Sequence, residues 1–128
     1  VTEAINVACV PQGDVSPPRG FAFAGRAFDL YALRQGDTVP SFAFETPVTV
    51  SIQYTDRDAA TISDEDQLAL QWWDGSAWQE AAHTCSPAGP YVRDLSNNVF
   101  TLTICHLSRF AVFGPTNELY LPFVLRIE

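Results

Sequence analysis

Lysine is absent from this chain of 128 residues, so all seven of its positive side chains are arginine. That excludes a β-domain cross-linked by Lys–Asn isopeptide bonds or polymerised through a lysine. Positive charge is scarce altogether: seven Arg stand against fifteen Asp and Glu, a formal net charge of −8. Phosphate backbones are held by clustered Lys and Arg, so nucleic acid is excluded as a partner. No apolar run approaches the ~20 residues of a bilayer-spanning helix. Methionine is also missing and the chain opens at Val1, as expected of a mature or excised form. There is no internal repeat, nucleophile elbow, phosphate loop or pair of catalytic carboxylates, so the pattern is not that of an enzyme.

What is present points to strands. Hydrophobic residues make up 47% and charged residues 17%, which suits one packed domain over residues 1–128 and excludes a disordered tail or a coiled coil. Nine Phe, nine Pro and seven Gly, with many Val and Thr, favour strands joined by turns. Residues 4–10, AINVACV, read as a first strand with Ile5, Val7 and Cys9 on one face. The breaker-rich PQGDVSPPRG follows as a leash that frees this strand to pair at a distance. FAFAGRAFDLYAL alternates at Phe21 and Phe23, with Gly25 at a bulge or bend. VPSFAFETPVTVSIQYT supplies two further strands, with Val48, Val50, Ile52 and Tyr54 sharing a face.

DRDAATISDEDQ is the one stretch with helical leanings, with Ser63 as its N-cap candidate. The clearest hairpin is LALQWW-DGSA-WQEAA, turning at Asp74-Gly75 with Trp73 and Trp78 on either side. NNVFTLTIC and SRFAVFG are strands, and Gly114-Pro115 is expected to end the domain before a last strand. Short strands at regular spacing predict an all-β antiparallel β-sandwich with at most one short helix.

From about residue 41 to residue 114 the chain resembles modules found at the ends of large bacterial secreted proteins. The resemblance rests on PVTVSIQYTDRD, DEDQLALQWWDGSAWQEA, TCSP and ICHLSRFAVFG. The ending also resembles the ZU5 and GAIN β-sandwich families, in which His-Leu-Ser or a close variant marks a self-cleavage site. The resemblance implies an Ig-like or ZU5-like sandwich, secretion or display at the cell surface, and a disulfide between Cys85 and Cys105. Cys9 is then the odd thiol, expected to be buried as a small hydrophobe, with a bond between chains as the alternative. The tail LYLPFVLRIE resembles a recurring C-terminal tail of bacterial secreted proteins.

Four pieces of chemistry deserve weighing. Self-cleavage would have the Ser108 hydroxyl attack the Leu107 carbonyl with His106 as general base. In an unbroken strand His106 and Ser108 share a face but sit roughly 6.6 Å apart, so cleavage needs a bend here. Phe100, Leu102, Ile104, Phe110 and Val112 keep one parity, which a single straight strand would also satisfy. Otherwise the two polar residues simply end a strand. A zinc site from His83, Cys85, Cys105 and His106 is disfavoured, because Cys105 and His106 point opposite ways in a strand. Asp56, Asp58, Asp64, Glu65 and Asp66 are candidate Ca²⁺ ligands, although their spacing matches no EF-hand. Trp72, Trp73 and Trp78 are a candidate sugar platform, but alternation sends Trp72 and Trp73 to opposite faces.

The strongest pattern lies at the end. Leu119, Leu121, Phe123, Leu125 and Ile127 occupy alternate positions, with Tyr120, Pro122, Val124 and Arg126 opposite. Such a strand buries its apolar face, and Pro122 confines it to a sheet edge. Either it folds back on its own sandwich, or it completes a neighbour by strand donation. The terminal strands at 1–10 and 115–128 are therefore candidates for pairing between subunits. The reading is an extracellular structural or interaction module, in one form a filament subunit, partnered by itself or another surface protein. The alternatives are a self-cleaving module cut at Leu107–Ser108 and a carbohydrate-binding module.

Overall fold

Successive side chains of a strand point to opposite faces, so alternation turns Val48, Val50, Ile52 and Tyr54 to one side. In the computed structural model, which describes residues 6–39 and 42–116, these four meet Leu68, Leu70, Phe100, Leu102, Ile104, Phe110 and Val112 in one core. Burying each of the larger side chains contributes about 1.5–3 kcal/mol. The described residues form β1 (Asn6–Pro11), β2 (Phe21–Arg34), β3 (Asp37–Val39), β4 (Ala43–Gln53), β5 (Ala69–Trp73), β6 (Trp78–Glu80), β7 (Val92–Asp94), β8 (Val99–His106) and β9 (Arg109–Pro115).

The larger sheet runs β1-β2-β9-β5-β6, with β3 also paired to β2; the smaller runs β4-β8-β7. Every pairing is antiparallel. The chain is thus all-β, two antiparallel sheets enclosing the core, as the strand spacing predicts. Strand β8 lies at the centre of the small sheet and presents Phe100, Leu102 and Ile104 inward. Strand β9 is central in the large sheet and is buried on both faces, from Phe110 through Phe113. Its outward Ala111 and Phe113 are covered by Val15, Phe23 and Trp78, so the breaker-rich loop after β1 is part of a second small core.

Several local expectations are revised. Two 3-10 turns, of three and four residues, occur at Glu65–Gln67 and Ala81–Thr84. Asp64, not Ser63, occupies the N-cap position of the first; the Ser63 N–H and hydroxyl instead both donate to the Pro115 carbonyl. The second replaces the end of the hairpin arm, because the Glu80 carboxylate accepts the Ala82 N–H at 3.0 Å and caps a turn there. Gly114 and Pro115 are not a breaker outside the strands: they are the last two residues of β9 and pair with Ala22 and Phe21. The leash does not carry β1 far, since β1 pairs with the second half of β2, the next strand. Cys9 is exposed rather than buried, because among the described residues β1 is the outermost strand and has a neighbour on one side only.

At Gly25, φ is +80° and the β2–β9 register shifts between Phe23 and Ala27. A Cβ at Gly25 would lie 2.0 Å from Asp58 Oδ1, so the bulge requires glycine twice over, for its backbone and for its space.

Cys85 and Cys105 are joined, tying the Ala81–Thr84 turn to β8 across 20 residues of sequence. A closed loop of that length is worth about 3 kcal/mol, so the double variant Cys85→Ala/Cys105→Ala should lose about that much in urea unfolding. An unchanged midpoint would mean that the unfolded chain gains no freedom when the bond is removed. A second expectation concerns the hairpin turn. Asp74 accepts N–H groups from Ser76 at 2.7 Å, Ala77 at 2.8 Å and Gln79 at 2.9 Å. The two backbone bonds, then Gln79, hold its carboxyl below the ordinary value. A depressed folded value means that this stabilisation is present above the unfolded value of about 3.9 and is lost as pH falls through the folded one. Urea midpoints of Asp74→Asn and the unmodified chain should therefore converge toward low pH; a constant gap would show that ionisation of Asp74 plays no part.

Candidate functional site

His106-Leu107-Ser108 lies where the chain leaves the small sheet and enters the large one, between the end of β8 and the start of β9. The straight strand is therefore not formed: the chain breaks at Leu107 and Ser108. His106 keeps the inward parity of Ile104, and its ring stands edge-on to Trp72 with centroids 4.6 Å apart. The Leu107 N–H donates to the Phe42 carbonyl at 3.2 Å, and the Ser108 carbonyl accepts the Leu30 N–H at 2.9 Å. The Ser108 hydroxyl donates to the Trp73 carbonyl at 3.2 Å and makes no hydrogen bond with His106. Ala43, Trp72, His106, Leu107 and Ser108 line a cleft of about 480 Å³ at this crossing. The chain supplies the bend that self-cleavage needs, but the base and the nucleophile are not engaged with each other.

The other candidate sets are dispersed. The zinc candidates are divided: Cys85 and Cys105 are bonded to each other, His83 is exposed, and His106 packs on Trp72. Among the acidic residues, Asp58 accepts the Thr55 N–H and lies 3.7 Å from Arg26, and Asp56 accepts from the Asn98 amide. Glu65 accepts the Tyr54 hydroxyl at 2.6 Å; burial first, and then this bond, push the phenol upward. Asp64 and Asp66 interact with each other, and their hydrogen bond holds Asp64 above its ordinary value. Among the described residues no three His, Cys, Asp or Glu side chains gather as metal ligands would.

The tryptophans divide as alternation predicts. Trp72 packs on the inter-sheet core, while Trp73 lies on the other face against Trp78, ring centroids 5.3 Å apart. Trp73 borders two shallow clefts of about 290 Å³ each, one with Asp29, Tyr31 and Arg109 and the other with Val15, Ser16 and Trp78. Arg109 is bound to Asp29 by two bonds, at 2.7 and 3.1 Å, and the bonds to Asp29 hold the guanidinium above its ordinary value. The assembly candidates Leu119, Leu121, Phe123, Leu125 and Ile127 lie outside the described residues.

One feature that side-chain chemistry alone does not reveal is the outer edge of β1. The Gln12 N–H donates to the Ala27 carbonyl, and the Leu30 N–H turns away from β1 to Ser108. With the register Asn6↔Leu33 through Pro11↔Phe28, the even-numbered residues of β1 face β2. Val7, Cys9 and Pro11 therefore aim their main-chain groups outward: two N–H and three C=O, since proline has no N–H. The strand has no bulge and no charged residue, its single proline, Pro11, stands at its last position, and Val7 and Val10 are 49% and 39% exposed. Exposed edges are normally blunted by charge, proline, bulges or brevity. The other edges show such features: β3, β6 and β7 have three residues each, and β4 has an irregular register before Val48, contains Pro47, and gives its Gln53 carbonyl to Arg26. The signal was legible as the uncharged run NVACVP, but its edge position was not.

Comparison of this chain with protein-family models, with curated proteins and with solved structures finds no match.

Proposed function

We propose that this chain is an extracellular structural or interaction module of a bacterial surface protein that engages its partners by β-strand addition. The observation that supports the reading is the outer edge of β1, which no other strand among the described residues pairs with, six residues long, uncharged and in regular register. Strand addition draws affinity from main-chain bonds and specificity from alternate side chains, and β1 offers both. The Cys85–Cys105 disulfide is compatible with an oxidising compartment. In the filament form of this reading, residues 117–128 supply the donated strand through the alternation of Leu119, Leu121, Phe123, Leu125 and Ile127. A head-to-tail donation of this kind does not close and so propagates.

Amide exchange on the natively purified full chain tests the reading. The Val7 and Cys9 N–H groups should exchange fast in any 14.1 kDa monomer and become protected in a heavier assembled fraction. Protection elsewhere on the surface, with these two amides still open in the assembly, would overturn it. Shortening the chain at Thr116 keeps the β9 pairings and abolishes assembly only if the tail is the donor.

A second reading, self-cleavage at Leu107–Ser108, is favoured by one observation: the bend between β8 and β9 falls on this bond, beside a cleft. Mass measurement after denaturation and reduction decides it. Two fragments meeting at Leu107–Ser108 are its expected outcome, and a single 14.1 kDa chain rejects it.

A further inference from the structure

We infer that the outer edge of β1 pairs with the same edge of a second copy of this chain, antiparallel about a two-fold axis, joining the two large sheets into one. The inference rests on the reading of β1 as a strand-addition edge and names its occupant.

The argument starts from the hydrogen-bond inventory. Within β1, Val7, Cys9 and Pro11 present outward main-chain groups, so an antiparallel partner must align odd-numbered residues with odd-numbered ones. A two-fold axis through Cys9 sets Cys9 opposite Cys9 and Val7 opposite Pro11 of the second copy. Each Cys9 N–H then donates to the other Cys9 carbonyl, and each Val7 N–H donates to the opposing Pro11 carbonyl. All four outward donors of the two edges are satisfied. Pro11, which has no N–H to give, stands where it only has to accept.

The side chains agree with this register. Val7 meets Pro11 on one face, and Ala8 meets Val10 on the other, a small residue beside a branched one at both symmetry-related positions. Moving the axis to Ala8 also satisfies four donors, but it sets Asn6 against Val10 and leaves the Pro11 carbonyl unused. No charged side chain lies in either strand, so the net charge of −8 on each copy is not focused at the seam. The pairing also covers the partly exposed Val7 and Val10. Because the contact is isologous it closes at two copies, and it covers an edge of the sheet whose one blunting feature is Pro11.

Sedimentation of the full chain over a wide concentration range tests the inference, with Cys9→Ala and Val7→Pro beside it. The Val7 N–H faces outward, so proline there removes a donor from the seam and none from the β1–β2 ladder. The unmodified chain and Cys9→Ala should both dimerise. Val7→Pro should weaken dimerisation by about ten-fold or more, since two main-chain bonds are lost by symmetry, while its melting temperature is unchanged. Dipolar distances between spin labels at Cys9 read the register: a Cys9-centred seam bonds the Pro11 carbonyl to the opposing Val7 N–H and sets the two labels opposite each other, so their separation is shortest in this register. Should Val7→Pro not fold, the concentration dependence of Val7 and Cys9 amide exchange in the unmodified chain carries the same information.

A monomer at every concentration overturns the inference. So does association lost in Cys9→Ala, which would make it thiol chemistry rather than strand pairing. An assembly abolished by shortening at Thr116 but indifferent to Val7→Pro overturns self-pairing of β1 while leaving strand addition standing. An assembly in which Val7 and Cys9 amides stay open overturns both.

Discussion

The central strands of the two sheets are consecutive in the chain, and the three residues His106-Leu107-Ser108 carry it from one to the other. Nearly everything else is arranged around that crossing. Strand β8 brings Phe100, Leu102 and Ile104 to the core from one side, and β9 brings Phe110 and Val112 from the other. A strand that continued straight would have left both sets in one sheet, with nothing to cover them. The bend is held by main-chain bonds to Phe42 and Leu30 and by the Ser108 hydroxyl on Trp73, so residues from several separate stretches of sequence fix one turn.

Polar groups at the core boundary follow from the same arrangement. Tyr91 donates to Glu80 and receives the Leu70 N–H, while Tyr54 donates to Glu65. Arg93 lies over the Tyr91 ring and reaches the Leu68 carbonyl at 2.6 Å. No buried side-chain nitrogen or oxygen among the described residues lacks a partner. Three of the carboxylates that looked available for a cation are engaged otherwise: Glu65 accepts from the Tyr54 phenol, Asp58 from the Thr55 N–H and Asp56 from the Asn98 amide. Among the described strands, β1 presents a row of main-chain donors and acceptors on its outer side, the kind of edge that strand addition uses.

Much of the fold was legible because burial on one face imposes period two. Val48 through Tyr54, Phe100 through Ile104, and the opposed Trp72 and Trp73 could be assigned to faces from alternation alone. Gly25 was legible as a break because only glycine tolerates that backbone beside Asp58. Three kinds of feature were not legible. Strand β7 has only three residues, too few to show a period. The Ala81–Thr84 turn is made by a carboxylate cap, not by propensity. Ser63 was misplaced because its bonding partner, the Pro115 carbonyl, lies 52 residues away.

The sequence by itself determined the class of structure: its alternation requires strands with one buried face, its turn residues limit their length, and its lack of lysine rules out a cross-link through a lysine of these residues. It also contained the run NVACVP, uncharged and regular. Only the tertiary structure decided that this run lies at the rim of the described sheet, that Cys9 is exposed, and that His106 faces Trp72 while Ser108 turns to Trp73. The physical reason is that alternation records which side of a strand is buried, but not which strand lies beside it. Hydrogen bonding between strands is made by the backbone, which is chemically the same at almost every residue, so strand order is set by how the whole core closes.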